Sequence, residues 1–462
     1  MDIAMQKQRL KDVNWTDNGK TEFDPTKVLQ FKPFKYGCIV CGGHFGDEGK
    51  GKKVDEMAEY YKSLGLKLLS ARGQGSGNAG HTVKVNGIKY DFHYLTSAGL
   101  IADCMLLGPG MLIDPIRVLK EAEKLPTEKR KIIKISERAM IVTDAERTMD
   151  AWCENWRNHA GKAIIGTTKS GVGPGVGIRG IREHVTFADA LACKDVNEFR
   201  SLYLKNYLLP KEAKDIFTEE YAEKLWDAIH RLTIVDSCEL ISKYRQEGDW
   251  AVLLEISQAI GLDPLFGNSG HFTTSTPCTN TGGVAFAGFT MEDFPEGSTI
   301  VFKGYASKVG GGPFNTKFTS EEEHIKKYIQ GEVDEVGVTS GRERDLGWFD
   351  GVAARYAVSL TENANICINC MDVIGGMGKV TGEIKVCFAY KNIHTGEVVY
   401  NWPYHLKCYE PLYVSLSTVG KKEEEVIRDY IELLETVIGR EITEYGVGPS
   451  REDFRKREDA FK

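Results

Sequence analysis

The chain has 462 residues, 42% hydrophobic and 27% charged, with a net charge of −7 at pH 7. That is enough apolar material for a large core, and the negative balance argues against a nucleic-acid-binding or polybasic membrane surface. No apolar run approaches the ~20 residues that span a bilayer, and residues 1–34 lack the apolar stretch of a secretory signal.

Residues 1–34 are polar and charged and read as a loosely ordered arm, which leaves 35–462 as the folded unit. Residues 36–41, Tyr-Gly-Cys-Ile-Val-Cys, are an apolar run that predicts a buried strand, closed by Gly42-Gly43. Gly46-Asp47-Glu48-Gly49-Lys50-Gly51-Lys52 follows. It has the Gly-x4-Gly-Lys spacing of a P-loop, but Lys53 stands where that loop carries the Mg²⁺-binding Ser or Thr. Backbone N–H groups of such a loop close on phosphate oxygens, and Lys50 and Lys52 add charge. A carboxylate there, Asp47, is repelled by phosphate unless it holds a metal or takes a proton during transfer. Val54, Met57, Ala58 and Tyr61 then recur on one face of a helix.

Further strands are predicted at 66–70, 105–107, 132–135, 139–142, 251–256, 299–302 and 366–370. Helical patterns alternate with them. One is 115–125, with Pro115 suited to a first turn. The clearest is Glu423–Ile438, whose Val426, Ile427, Tyr430, Ile431 and Leu434 form an apolar face stopped by Gly439. The alternation predicts an α/β fold: a single large domain with a mainly parallel central sheet, P-loop-like, with insertions. Residues 383–391 read as an antiparallel addition. Eleven cysteines include the pairs Cys38/Cys41 and Cys367/Cys370. Residues three apart on a strand face opposite sides, so core thiols are expected rather than a zinc site, in a reducing, cytoplasmic setting.

Five polar segments carry chemistry. Residues 72–82 surround Asn78 and His81 with glycines; His81 is either a general acid that polarises phosphate or a loop histidine without a role. Residues 166–175 form a second glycine- and hydroxyl-rich loop, suited to a phosphate monoester or to a linker. Residues 309–314 form a third. In 338–344, Arg342 and Arg344 present either two guanidinium forks to one carboxylate or solvated charge. Asn369-Cys370-Met371-Asp372 matches the guanine-reading Asn-Lys-x-Asp pattern with Cys370 in place of Lys.

Together these segments resemble the adenylosuccinate synthetase family, from about residue 36 to the C-terminus. The resemblance rests on G-D-E-G-K-G-K at 46–52, G-N-A-G-H-T at 77–82 and G-T-T-x-x-G-x-G-P at 166–174. It continues in V-G-x-G-P-F at 309–314, T-S-G-R-x-R at 339–344, G-W-F-D at 347–350 and Gly448-Pro449. The blocks occur in the family's order. The resemblance implies an enzyme in which GTP phosphorylates O6 of IMP and L-aspartate then displaces the phosphate. It implies Asp47 as the base and, with the Gly80 carbonyl, a Mg²⁺ ligand; His81 as the acid; and Gln258 and Lys50 as further catalytic groups. It implies that GTP is held by Gly46, Asp47, Glu48, Gly49, Lys50, Gly51 and Lys52. Gly80, His81, Thr82, Arg344, Cys370, Met371, Asp372, Gly446, Val447 and Gly448 complete that site. IMP would be held by Asp47, Lys50, Asn78, Ala79, Gly80, His81, Thr168, Arg179, Gln258, Thr274 and Arg342. Aspartate would be held by Val338, Thr339, Ser340, Gly341, Arg342 and Arg344. The family works as a homodimer in which an Arg crosses into the partner's IMP site, here expected to be Arg179. A phage-type relative that joins aspartate to dGMP is the alternative; the catalytic Asp is typically replaced in that group, and Asp47 is retained. Four departures stand out: a shortened segment at 175–178, extra residues in 272–281, Cys370 for Lys, and Gly446 for Ser.

Overall fold

The apolar runs of the sequence become the strands of one ten-stranded sheet. The structure, a computed structural model, describes residues 31–85, 88–206, 209–268, 270–337, 341–361 and 364–461. In chain order the sheet strands are β1 (Tyr36–Gly42), β2 (Lys67–Arg72), β3 (Cys104–Leu107), β4 (Ile133–Ser136), β5 (Ile234–Val235) and β6 (Trp250–Glu255). They continue as β7 (Ser298–Lys303), β8 (Ala364–Asn369), β9 (Glu444–Gly446) and β10 (Phe454–Lys456). Across the sheet they run β10-β9-β8-β7-β1-β6-β2-β3-β4-β5. All neighbours are parallel except the edge pair β9–β10.

Parallel strands are covered on both faces, so they read as continuous apolar runs rather than alternating ones. In β1, Ile39 and Cys41 pack into the layer with Trp348 and Tyr430, while Cys38 and Val40 face Val54, Ala58 and Tyr61 on the other side. The cysteines of this pair thus lie on opposite faces as expected, and Cys367 and Cys370 divide the same way. Among the described residues no group of three or more His, Cys, Asp or Glu is placed to hold a metal.

Seven helices matter here: α1 (Lys50–Ser63), α2 (Pro115–Ala122), α3 (Asp144–His159), α4 (Val172–Gly180), α5 (Gly351–Ser359), α6 (Met371–Met377) and α7 (Glu423–Ile438). The predicted α7 holds in both its limits, with Gly439 left-handed at φ 77°. The helix expected over 115–125 ends at Ala122, one strand expectation shifts, and the antiparallel addition holds. Of 139–142 only Met140–Ile141 is a strand, and it pairs with Leu112–Ile113 outside the main sheet. The addition at 383–391 is Glu383–Asn392, antiparallel to Tyr409–Ser417 in a second, smaller sheet.

Most of the expected arm, 1–30, lies outside the described residues. At its end Phe34 is buried against Phe289, and its N–H donates to Asp293, so the packed body begins at least one residue earlier than 35. No helix among the described residues is long and apolar enough to cross a membrane.

Candidate active site

The sheet topology gathers the polar segments at one edge. β1, β2, β6, β7, β8 and β9 end at Gly42, Arg72, Glu255, Lys303, Asn369 and Gly446, and the glycine-rich segments leave from these carboxyl ends. Strand order reverses around β1, whose neighbours β6 and β7 come much later in the chain. This is where open α/β sheets bind ligands. A cleft of about 620 Å³ opens there, floored by residues 46–51 and walled by 78–82, 165–168, 172–174, 272–275 and 309–311.

The floor is fixed by its own charges. The Glu48 carboxylate accepts from the N–H of His44 at 3.2 Å and of Gly46 at 2.7 Å, and pairs with Lys50 Nζ at 2.8 Å. Burial opposes the Lys50 charge, but Glu48 outweighs it and the pKa is raised. Gly49 starts α1 at φ 87°, and a side chain there would meet the Asn369 amide at 2.6 Å. Asp47 is left-handed at φ 58° without being glycine, and so is Gln258 at 56°. Strained backbone of this kind gathers at functional sites. Asp47 pairs with Arg344, whose Nε and Nη2 lie 3.1 and 3.0 Å from its carboxylate. Arg344 also donates Nη1 to Glu335 at 2.8 Å, and Glu335 accepts from Lys303 at 2.7 Å and from the Tyr305 hydroxyl.

His81 begins the hairpin His81–Val85/Ile88–Phe92 and is nearly buried. Its Nδ1 lies 2.5 Å from Glu255 Oε1, and its Nε2 is buried without a partner. Gln258 Oε1 is likewise buried and unpartnered, and both residues line the cleft. Burial lowers the His81 pKa. For Glu255 burial would raise the pKa, but His81, Arg72 and the Ser97 N–H outweigh it and hold the carboxyl at about 2. On the far wall, Asp150 accepts from Gly171 N–H at 3.0 Å and Glu154 from Gly166 N–H at 2.5 Å, so α3 pins both ends of the 166–171 loop.

A model of the adenylosuccinate synthetase family matches residues 39–455. The chain is 32% identical over 438 residues to an adenylosuccinate synthetase of Fusobacterium nucleatum, covering 90% of this chain and 97% of that one. It is 31% identical over 436 residues to the Paramecium tetraurelia adenylosuccinate synthetase, covering 89% and 95%. The chain belongs to the adenylosuccinate synthetase family.

The fold agrees. The fully ligated adenylosuccinate synthetase of Plasmodium falciparum superposes with a TM-score of 0.80 at 27% identity, covering 90% of this chain and 98% of that one. The cyanophage S-2L succinoaminodeoxyadenylate synthetase bound to dGMP and dATP shares the fold, with a TM-score of 0.58 at 15% identity over 92% and 96% of the two chains.

Most of the site expected from the adenylosuccinate synthetase resemblance comes together. Gly46, Asp47, Gly49, Lys50, Gly51, Asn78, Ala79, Gly80, His81, Thr82, Thr168, Gln258, Thr274, Arg342 and Arg344 all line the cleft, and Thr273 lies beside Thr274. The residues expected to hold guanine form a second cluster behind the loop. Lys52 Nζ donates to the Gly448 carbonyl at 2.7 Å and sits 4.0 Å over the Phe454 ring. Asn369 ties this cluster to the floor by donating to the Glu48 carbonyl at 2.8 Å. Gly446 is glycine because a Cβ there would meet Asn369 Oδ1 at 2.4 Å and Lys52 Nζ at 2.8 Å. Asp372 is exposed at the start of α6, and desolvation by the protein around its carboxylate raises its pKa. Met371 is buried in the core and the Cys370 thiol lies against the Tyr305 hydroxyl, so neither side chain faces a base and only their backbone can.

Arg179 lies apart from this cleft: its guanidinium donates to the carbonyls of Gly110 at 3.1 Å and of Pro109 and Met111 at 3.4 Å in its own chain. Arg182, left-handed at φ 69°, is exposed on the same turn. Val338, Thr339 and Ser340 lie outside the described residues; Gly341 is left-handed at φ 64°. Sequence reading missed Glu255, Glu335, Asp150 and Glu154. Only Glu255 left a signal, as an acid inside the apolar run 251–256.

Proposed function

We propose that this chain ligates L-aspartate to IMP, with GTP as phosphoryl donor, through a 6-phosphoryl-IMP intermediate to adenylosuccinate. The observation that carries the reading is the convergence of Asp47, His81 Nε2 and Gln258 Oε1 on one glycine-floored cleft. Asp47 takes the N1 proton of IMP as O6 attacks the γ-phosphorus and GDP leaves. The aspartate amine then attacks C6, and O6 departs with the phosphate. In phosphoryl transfer the protein acts mainly by positioning and by neutralising charge. That role falls to Lys50, Lys52, the loop N–H groups and His81. Gln258 hydrogen-bonds the purine near O6. Asn78, Thr168 and Thr274 hold the 5′-phosphate; Arg342 and Arg344 hold aspartate. The Asp47–Arg344 pair must therefore open as substrates enter.

The Asp47 carboxylate on the floor and Gly80 on the wall line the same cleft. Hard oxygen donors of this kind suit Mg²⁺, which keeps few protein ligands and fills its shell with phosphate and water. When bound, the ion neutralises phosphate charge.

The homodimer is proposed on the exposed Trp152 and Trp156 of α3 with Ile164 and Ile181, which flank the 166–175 loop. Arg182, exposed on the same turn, is proposed beside Arg179 as a cation this face offers to a partner. The eleven free cysteines accord with a reducing, cytoplasmic setting. Residues 1–34 are proposed as an arm outside the catalytic unit, less Phe34.

The intermediate is tested with IMP labelled with ¹⁸O at position 6. Label recovered in inorganic phosphate is the expected result; label released into water, or retained in the nucleotide product, contradicts it.

A further inference from the structure

Behind His81 lies a polar pocket that the reading above does not use. Glu255 closes β6, and its side chain is fully buried. Three donors reach it: His81 Nδ1 at 2.5 Å and Ser97 Oγ at 2.7 Å on Oε1, and Ser97 N–H at 2.8 Å on Oε2. Arg72, fully buried at the end of β2, adds positive charge nearby while bonding the carbonyls of His93 and Tyr94 and the Ser257 hydroxyl. A buried carboxylate met by donors on both oxygens is ionised and has no proton to give. The proton between Glu255 and His81 therefore belongs to Nδ1. The remaining ring nitrogen, Nε2, is the one that faces the cleft, and it is buried with no partner.

We propose that Glu255 is the positioning residue of the phosphoryl-transfer step, holding His81 by Nδ1–H so that Nε2 alone meets the transferring phosphoryl group. This rests on the role of His81 given above. The hydrogen bond a histidine makes on one nitrogen decides what the other can do. Here it fixes the ring plane and the tautomer. The pair makes no bond to phosphorus, and no proton passes to Glu255. Ser97 holds Glu255 in turn by its N–H and hydroxyl, and the charge of Arg72 at the end of β2 stabilises the carboxylate.

The test uses the full chain with ¹⁵N-labelled histidine, the His81 signals being identified by their loss in His81→Asn. The expected pattern in the unliganded protein is a protonated Nδ1 and a bare Nε2. Glu255→Gln keeps the shape but turns an N–H₂ towards either Ser97 N–H or His81 Nδ1, so it disturbs the tautomer. We expect kcat to fall by about 10²-fold or more. KM values for IMP, GTP and aspartate should stay within about threefold of wild type, a split that a general loosening of the site would not give. A wild-type ring protonated on Nε2 with a bare Nδ1 would overturn the proposal, as would a folded Glu255→Gln enzyme with unchanged kcat. If Glu255→Gln does not fold, the wild-type spectrum decides, and Ser97→Ala, which removes one donor and keeps the N–H, should lower kcat with less effect on KM. Full turnover by His81→Asn would instead contradict the role of His81 itself, while leaving the observed tautomer intact.

Discussion

Asp47→Asn separates chemistry from stability. Asp47 sits at φ 58°, in the left-handed region where Asn is among the few tolerated residues. Asn also matches Asp in shape. What it removes is charge: the pair with Arg344 and the acceptor for the N1 proton. The Asp47 side chain is 31% exposed, so solvent screens that pair, and its loss costs at most about 1 kcal/mol. Arg344 keeps its second partner, Glu335. The melting temperature should therefore move by at most a few degrees. Loss of a positioned base costs about 10²–10⁴-fold in rate, equivalent to about 2.7–5.4 kcal/mol of barrier. Asp47→Ala is a poorer probe, because it adds roughly 1 kcal/mol of backbone strain. The assay is chromatographic detection of product at saturating IMP, GTP and aspartate, with thermal unfolding beside it. A folded Asp47→Asn enzyme within a few-fold of the wild-type rate would refute the reasoning.

The other expectations follow the same logic. Arg342→Ala should raise the KM for aspartate by roughly tenfold to a hundredfold, since a carboxylate loses a charge-assisted partner; Arg342→Lys should restore only part, and an unchanged aspartate dependence would remove this residue from the amino-acid site. Asp372→Ala should erase the preference for GTP over ATP, because its carboxylate alone can pair with two adjacent guanine donors; a preference that survives in paired saturation curves would contradict it. Burial pulls the pKa of Lys308 down to about 8. The unfolded chain keeps its lysine proton to about 10.5, so the buried charge costs stability below pH 8 and that cost is relieved as pH rises from 8 to 10.5. Urea unfolding should show wild type gaining on Lys308→Met by about 3 kcal/mol across that window; a constant difference would show that the site does not strain the charge.

The parallel sheet was legible because burial on both faces writes strands as largely apolar runs, as in 36–41 and, Glu255 apart, 251–256. The same rule misplaced 139–142, whose apolar side chains pack beneath the sheet instead of joining it. The two-residue β5 and the edge strand β10 carry too few apolar residues to be read at all. The glycine loops were legible because close backbone approach and left-handed turns demand glycine. Their anchors were not: Asp150 and Glu154 hold the 166–171 loop from a helix earlier in the chain, and nothing local marks them. The contacts of Arg179 were not legible either, because the carbonyls of 109–111 that accept from it lie far earlier in the chain. Cys370 was read only as standing in place of Lys; its left-handed backbone, at φ 61°, starts α6 with the thiol turned towards Tyr305.

The most direct measurement is an end-point assay of the full chain with aspartate and Mg²⁺, offering IMP or dGMP against GTP or ATP. The account predicts adenylosuccinate from IMP and GTP, with one GDP and one phosphate released per product and little from the other three combinations. Failure to form product from IMP and GTP, or turnover of dGMP in its place, would contradict it.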